Sequence, residues 1–247
     1  HLDQRSLFEG NSNYGLKRND ARLTINSILS DKFTVTATAA YNGSTTKEHA
    51  YWTEWLIEQA TRIPVIYPVK DVDGNYTLVS GSNSNPLARL SKGGMRTYKN
   101  DGLAGSISAE WSIIKDLKLK GFFGANLSNN NTHEFRRSID YAPYKGGGDN
   151  ESSVMDAFDR TLLLNSTLTL NYTKKIADDH SISGLLGISN ENSDRRWFQA
   201  RKIGIPGNEF GVIGNGQITD EKNTFGSGEQ WGINSFFARL NYSYKDK

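Results

Sequence analysis

Residues 33–41 read FTVTATAAY, in which apolar and polar side chains alternate almost without a break. Successive side chains of a β-strand point to opposite faces, so this alternation places Phe33, Val35 and Ala37 on one face and threonines on the other. Residues 22–29 alternate in the same way, and only Ser30-Asp31-Lys32 separate the two runs. Two alternating runs joined by a short polar segment predict a β-hairpin.

The same alternation recurs along the rest of the chain and predicts seven strands in all. Their apolar positions span Leu23–Leu29, Phe33–Tyr41, Leu103–Ile113, Leu117–Leu127, Leu162–Tyr172, Ile182–Ile188 and Phe236–Tyr244. Each run carries about ten alternating residues, which matches the ~9–11 residues that a strand needs to cross a bilayer.

The connections between these strands alternate in length. Short turns are predicted near residues 31, 115, 178 and 246, and long, polar, glycine-rich segments at about 45–97, 131–157 and 191–229. Outer-membrane barrels have short periplasmic turns and long outward loops, so we expect the short turns in the periplasm. Aromatic residues that would form an interfacial girdle stand on the apolar face beside the short turns: Trp111, Tyr172, Tyr242 and Tyr244.

The composition agrees with such a barrel. Hydrophobic residues make up 36% of the chain and the mean hydropathy is -0.59, as expected when only alternate strand residues meet lipid. A net charge of +2 gives no case for nucleic acid, and the lack of cysteine excludes disulfides and cysteine-based zinc sites. An antiparallel soluble sheet protein remains the alternative, because its strands also alternate.

The predicted strand count indicates a fragment. Bacterial single-chain barrels have an even number of strands, from about 8 upward, so seven strands do not close one. The first residue is His1, with no initiator methionine or charged-then-apolar leader, and we expect a mature or excised piece.

Catalytic and metal-binding patterns are not found in the sequence, so we expect no enzyme activity, no cofactor and no metal site. The histidines at positions 1, 49, 133 and 180 are scattered, without metal-ligand spacing. Asp71, Asp73 and Asn75 are spaced like calcium ligands, but an EF-hand requires glycine where Tyr76 stands. An Asp73-Gly74 hairpin turn is the favoured interpretation.

The first long loop contains the candidate functional residues. Residues 47–61 lack strand alternation and are rich in helix formers, which predicts a short helix. Tyr51, Trp52 and Trp55 are the candidates for contact with a substrate or an external lid, since aromatic rings stack on sugars and anchor interfaces. The alternative is that these rings only anchor the helix to its own loop.

Several segments together resemble the SusC/RagA-like family of TonB-dependent outer-membrane transporters of Bacteroides-type bacteria. None of the segments is a catalytic signature, and the likeness lies in their order over nearly the whole chain. They are His1-Leu2-Asp3-Gln4, the hairpin from Arg22 to Tyr41, the segment from Ile63-Pro64-Val65-Ile66-Tyr67 to Asp73-Gly74-Asn75-Tyr76, Asn85-Pro86, Leu117-Lys118-Leu119-Lys120-Gly121 and Ser235 to Lys247.

The resemblance implies an all-β fold, in which residues 1–247 form part of the antiparallel barrel domain of a 22-stranded transporter. It also implies import of oligosaccharides or peptides across the outer membrane, energised through TonB, with a SusD-like lipoprotein as external lid. The plug domain, the TonB-contacting segment and the remaining strands are not within this sequence. A glycan-binding β-sheet protein and a passive porin remain the alternative functions, and substrate identity is left open.

Overall fold

The computed structural model of this chain describes residues 14–51, 53–63, 66–78, 84–143, 149, 151–177 and 179–244. The described part is an all-β antiparallel sheet with eight strands, and every strand except β7 has 16 to 25 residues. The strands are β1 (Gly15–Ser30), β2 (Phe33–His49), β3 (Gly94–Ile114), β4 (Leu117–Arg136), β5 (Ser153–Ala177), β6 (His180–Ile203), β7 (Ile218–Thr219) and β8 (Phe225–Tyr244).

The strands form a meander in which each long strand pairs with the next long strand along the chain. The two-residue β7 pairs with the end of β6. Two α-helices, α1 (Thr53–Arg62) and α2 (Pro86–Lys92), lie between β2 and β3. Within the part of the chain that the structure describes, no helix is long and apolar enough to cross a membrane.

All seven predicted strands are confirmed, but their predicted ends are wrong. The long connections span only residues 50–93, 137–152 and 204–224, because the strands continue well into the segments predicted as loops. Side chains must alternate only where one face meets an apolar medium, whereas ladder hydrogen bonds continue beyond it. Hydropathy alternation therefore marks the middle of each strand and not its end.

The pairing register sorts the side chains into two faces, here called the apolar face and the polar face. Residues directly opposite one another across antiparallel strands share a face. A central row of the apolar face consists of Val35, Ala109, Gly121, Leu168, Ile188 and Phe236. The adjacent row of the polar face consists of Asn26, Thr36, Ser108, Phe122, Thr167, Ser189 and Ser235.

Aromatic side chains stand on the apolar face near the short turns. Trp111 lies opposite Phe33 and Leu119, Tyr172 lies opposite Leu117, and Tyr242 lies opposite Ile182. The predicted girdle residues are all exposed there, as are many of the aliphatic side chains of this face.

The described residues of the long loops form two small cores at the end of the sheet away from the short turns. Tyr76, Ala88, Ile139 and Tyr141 join the first loop to the second. The third loop instead covers the apolar face, where Ile205 packs with two strand residues, Phe135 and Val154.

The first loop contains both the predicted helix and the predicted turn. The helix begins at Thr53, later than predicted, because residues 47–49 belong to β2. The turn at Asp73-Gly74 is confirmed: the backbone N–H of Gly74 donates to the Asp71 carbonyl at 3.1 Å, and Gly74 has a φ of 84°. The Asp71 side chain accepts backbone hydrogen bonds from Asp73 and Asn75, as aspartate does in turns.

Some sequence predictions fall outside the described residues. They concern His1-Leu2-Asp3-Gln4, Trp52, Pro64-Val65, the turn residue Asp178 and the terminal Lys245-Asp246-Lys247.

The same substitution is expected to destabilise the full-length protein to different extents on the two faces. Leu168→Arg, on the apolar face, is expected to cost about 2–4 kcal/mol of folding free energy in lipid. Thr167→Arg, the neighbouring residue on the polar face, is the matched control and is expected to cost much less. Unfolding titrations of the protein in lipid vesicles measure both, and equal losses would contradict the assignment of faces.

Candidate functional site

A pocket of about 460 Å³ lies where the first two long loops meet the polar face. Its floor comes from strand residues of the polar face, and its walls come from the first loop, including α1 and α2, and from the second loop. The floor residues are Arg136, Ser153, Arg201 and Ile203, and the wall residues are Tyr51, Trp55, Arg89, Asp149 and Glu151.

The pocket is held together by an ion pair between the two loops. The Arg89 Nε donates to both carboxylate oxygens of Asp149, at 2.9 and 2.8 Å, and Arg89 Nη2 lies 2.6 Å from Asp149 Oδ1. Only 14% of the Arg89 side chain and 1% of the Asp149 side chain are exposed. Two buried charges in this geometry compensate each other, and the loss of either would leave the other without a partner.

Aromatic rings enclose the guanidinium of this pair. The Arg89 guanidinium carbon lies 4.1 Å from the centre of the Trp55 ring and 4.5 Å from the centre of the Tyr51 ring. The Arg136 guanidinium approaches the Tyr51 ring at 5.5 Å. Cation–π contacts of this kind gain strength when water is excluded, so both rings help to fix the position of Arg89.

Two phenols complete the surroundings of the Asp149 carboxylate. Tyr51 donates to Asp149 Oδ1 at 3.3 Å, and Tyr141 donates to Asp149 Oδ2. Burial, with the negative charge of Asp149 as the next contribution, raises the pKa of Tyr51 to about 12. Burial and then the hydrogen bond to Asp149 raise the pKa of Tyr141 as well. Both phenols therefore stay protonated at neutral pH and remain donors.

A second buried carboxylate lies on the strands below the pocket. Glu134 is 1% exposed and pairs with Arg96 and with Arg136, whose Nε lies 2.6 Å from Glu134 Oε1. Arg201, across the pocket floor, donates from Nη2 to the Ser153 hydroxyl at 3.0 Å. The pocket thus presents guanidinium donors and aromatic faces on a scaffold of buried carboxylates.

Asn85 positions α2, and with it Arg89. Its side-chain oxygen accepts from the backbone N–H groups of Leu87 and Ala88, which caps the helix N-terminus. Its amide nitrogen donates to the carbonyls of Val69 and Thr77, both at 2.9 Å. One buried side chain therefore joins the helix to the Asp73-Gly74 hairpin.

The structure brings together two of the three sequence-predicted site residues. Tyr51 and Trp55 are half-buried and line the pocket, and Trp52 lies outside the described residues. Sequence reasoning missed Arg89, Asp149 and the helix α2. The order Asn85-Pro86 is a helix-start signal, since asparagine caps helices and proline favours the first turn. No local pattern marks Asp149, because its partner is 60 residues away.

The two buried carboxylates around the pocket are held by arginines. Among the residues that the structure describes, no group of three or more His, Cys, Asp or Glu side chains is placed to hold a metal ion. Glu134 and Asp149 are each engaged by arginines, so neither carboxylate is free to act as a general base. The geometry suits binding of rings, carbonyl groups or anions.

Comparison with known proteins identifies relatives of this sheet. No family model matches the chain. A TonB-dependent receptor P26 from Formosa agariphila is 28% identical over 188 residues, which cover 73% of this chain and 18% of the receptor. The RagAB peptide transporter superposes with a TM-score of 0.74 over 94% of this chain and 26% of that chain, at 17% identity. The resemblance to SusC/RagA-like TonB-dependent transporters is confirmed.

Two further solved states agree with this fold. The RagAB peptide importer superposes on this barrel segment in its 'open-open' state with a TM-score of 0.74, and in its 'closed-closed' state with 0.71. The sequence identities are 17% and 18%, respectively, so these likenesses concern the fold. The chain spans about a quarter or less of the length of the relatives that it matches.

Removal of the Asp149 carboxylate is expected to release the first loop while the strands stay folded. Asp149→Ala leaves the buried Arg89 unpaired, which costs about 3–5 kcal/mol. Tryptic cleavage of the loop in the inserted full-length protein should then become faster.

The matched control breaks an exposed ion pair of the same loop. Glu58 and Arg62 on α1 lie 2.8 Å apart with 48% and 70% of their side chains exposed. Glu58→Ala is expected to cost about 0.3–0.5 kcal/mol and to leave the cleavage rate nearly unchanged. Equal cleavage of the two variants would show that the buried pair does not hold the loop.

Proposed function

We propose that this chain is part of an outer-membrane barrel that actively imports nutrients. The observation that carries the proposal is the sheet itself: one face carries apolar side chains on each of the seven long strands, and the first two long loops fold over the polar face. An apolar face of this kind suits lipid, and loops over the polar face stand at the entrance of a lumen. The short turns lie in the periplasm and the long loops outside the cell.

The substrate is proposed to be an oligosaccharide or a peptide. Guanidinium groups of Arg136 and Arg201 donate to peptide carbonyl or carboxylate oxygens and to sugar hydroxyls, while the rings of Tyr51 and Trp55 offer stacking surfaces. The similarity to RagAB, a peptide transporter, supports peptides as one of these two classes. We further propose a SusD-like lipoprotein lid outside and TonB inside, the latter through parts of the protein beyond this sequence.

Energy dependence tests active import by the full-length protein. Uptake of fluorescent oligopeptides or oligosaccharides by cells that express it should stop when a protonophore collapses the inner-membrane proton gradient. Uptake that continues unchanged would identify a passive porin. Recovery of folded protein without detergent would identify a glycan-binding protein that is not inserted in the membrane.

Substitution of the loop aromatics tests their role in capture. The double variant Trp52→Ala, Trp55→Ala should insert normally and keep its heat-modifiable migration, but lose uptake or co-purification of the lid, since each anchor is worth about 1 kcal/mol or more. Ile57→Ala, an exposed apolar residue of the same helix, is the control and should leave uptake intact. Failure of the double variant to assemble would mean that the rings only pack the loop onto its barrel.

A further inference from the structure

Along β5, β6 and β8, the side chains of the apolar face change from apolar to polar in the direction of the long loops. Near its middle, Leu168, Ile188 and Phe236 lie side by side and line a groove of about 510 Å³. The next row toward the long loops contains Ser166, Asn190 and Asn234. On β5 the face is apolar again at Leu164 and Leu162, but β6 and β8 stay polar.

The polar side chains of this face form a bonded row. Asn190 donates to Asn234 at 2.7 Å and accepts from Asn192, and Gln230 donates to Asp194 at 2.6 Å. These bonds use only part of the hydrogen-bonding capacity of the amides, so a polar neighbour outside the protein suits this part of the face.

A recess of about 400 Å³ lies beside this row. Leu162 and Leu164 form one side, Asn192 and Asp194 the middle, and Gln230 with Gly232 the other side. Gly232 keeps the recess open, because a Cβ atom at this position would lie 2.7 Å from Asn192 Oδ1.

Two arginines lie in the next row of the apolar face, on the side of the recess that is nearer the long loops. Arg160 of β5 lies opposite Arg196 of β6, and Gly228 of β8 lies opposite Arg196. Like charges directly opposite each other repel. The Arg196 side chain is 73% exposed and its Nε lies 3.7 Å from Asp194 Oδ1, and no ion-pair partner of Arg160 occurs among the described residues. The local balance is one carboxylate against two guanidinium groups, which favours an external anion.

The position of the arginines matches the level of lipid headgroups. Arg160 is twelve residues from Tyr172, the girdle residue of the same strand. At ~3.3 Å per residue and a strand tilt of about 40°, this separation corresponds to about 30 Å along the membrane normal. The apolar band of such barrels is about 25 Å tall, so the guanidinium groups lie just beyond it.

We infer that β5, β6 and β8 bind a phosphorylated glycolipid of the outer leaflet on the outside of the barrel, which rests on the proposed membrane function. The acyl chains lie against Leu168, Ile188 and Phe236. The recess beside Asn192, Asp194 and Gln230 takes the sugar hydroxyls, and Arg160 with Arg196 binds the phosphate. Guanidinium is suited to this role because its fork of N–H donors matches two phosphate oxygens.

The test uses the full-length protein in phosphatidylcholine nanodiscs and native mass spectrometry. The added probes are bisphosphorylated lipid A, the same glycolipid without its phosphates, and inorganic phosphate. Only the phosphorylated glycolipid should be retained. Arg160→Gln and Arg196→Gln together should weaken its retention at least about tenfold.

Arg195→Gln is the matched control, because Arg195 is the neighbour of Arg196 but lies on the polar face and pairs with Asp159 at 2.7 Å. It should leave lipid retention unchanged. Equal retention of the glycolipid without phosphates, equal retention by the double variant, or displacement by millimolar inorganic phosphate would overturn the lipid site. A protein dimer that the double variant abolishes would overturn it too, since the face would then be a contact between copies.

Membrane insertion of the barrel distinguishes failure of the lipid site from failure of the proposed function. Heat-modifiable migration in phosphatidylcholine alone reports a folded membrane barrel and requires no headgroup phosphate. A barrel that inserts but ignores the phosphorylated lipid contradicts the lipid site alone. A protein that does not insert contradicts both proposals.

Discussion

The structure depends on one constraint: every backbone N–H and C=O group that lies in an apolar medium must find its partner within the protein. A meander of antiparallel strands meets this requirement by pairing each long strand with its neighbour along the chain. The same pairing fixes the register, and the register decides which side chains lie on each face. A shift of one residue between β4 and β5 would turn Leu168 toward the polar face and Thr167 toward the apolar one.

Beyond the apolar medium the loops are held by different interactions. The described parts of the first two loops bury few apolar side chains, and charged and polar groups supply much of their order. Asp149 accepts from one arginine and two phenols, and Asn85 bonds to two separate backbone segments. Buried polar groups of this kind require exact partners, which favours one loop arrangement over others.

The sequence predicts the elements whose pattern is local. Alternation located all seven long strands, and turn chemistry located the Asp73-Gly74 turn. The strand ends were misplaced, because a strand in water keeps its hydrogen bonds without alternating side chains. Asp149 was missed because its contacts join residues far apart in the chain, such as Tyr51 and Arg89. Tyr51 and Trp55 were singled out by residue type alone, and the sequence did not indicate that both rings enclose Arg89.

The ion pair between Arg89 and Asp149 also limits how this surface diversifies. The first loop carries the arginine and the second carries the carboxylate that keeps it buried. A recombination event that brings in a new first loop without arginine at this position leaves Asp149 as a buried, unbalanced charge. A new second loop without a carboxylate at this position leaves Arg89 without its partner. The first two loops are therefore constrained to change together, and the third loop is linked to them as well, because Asn208 bonds to Ser138 and Ile205 bonds to Ser152 of the second loop.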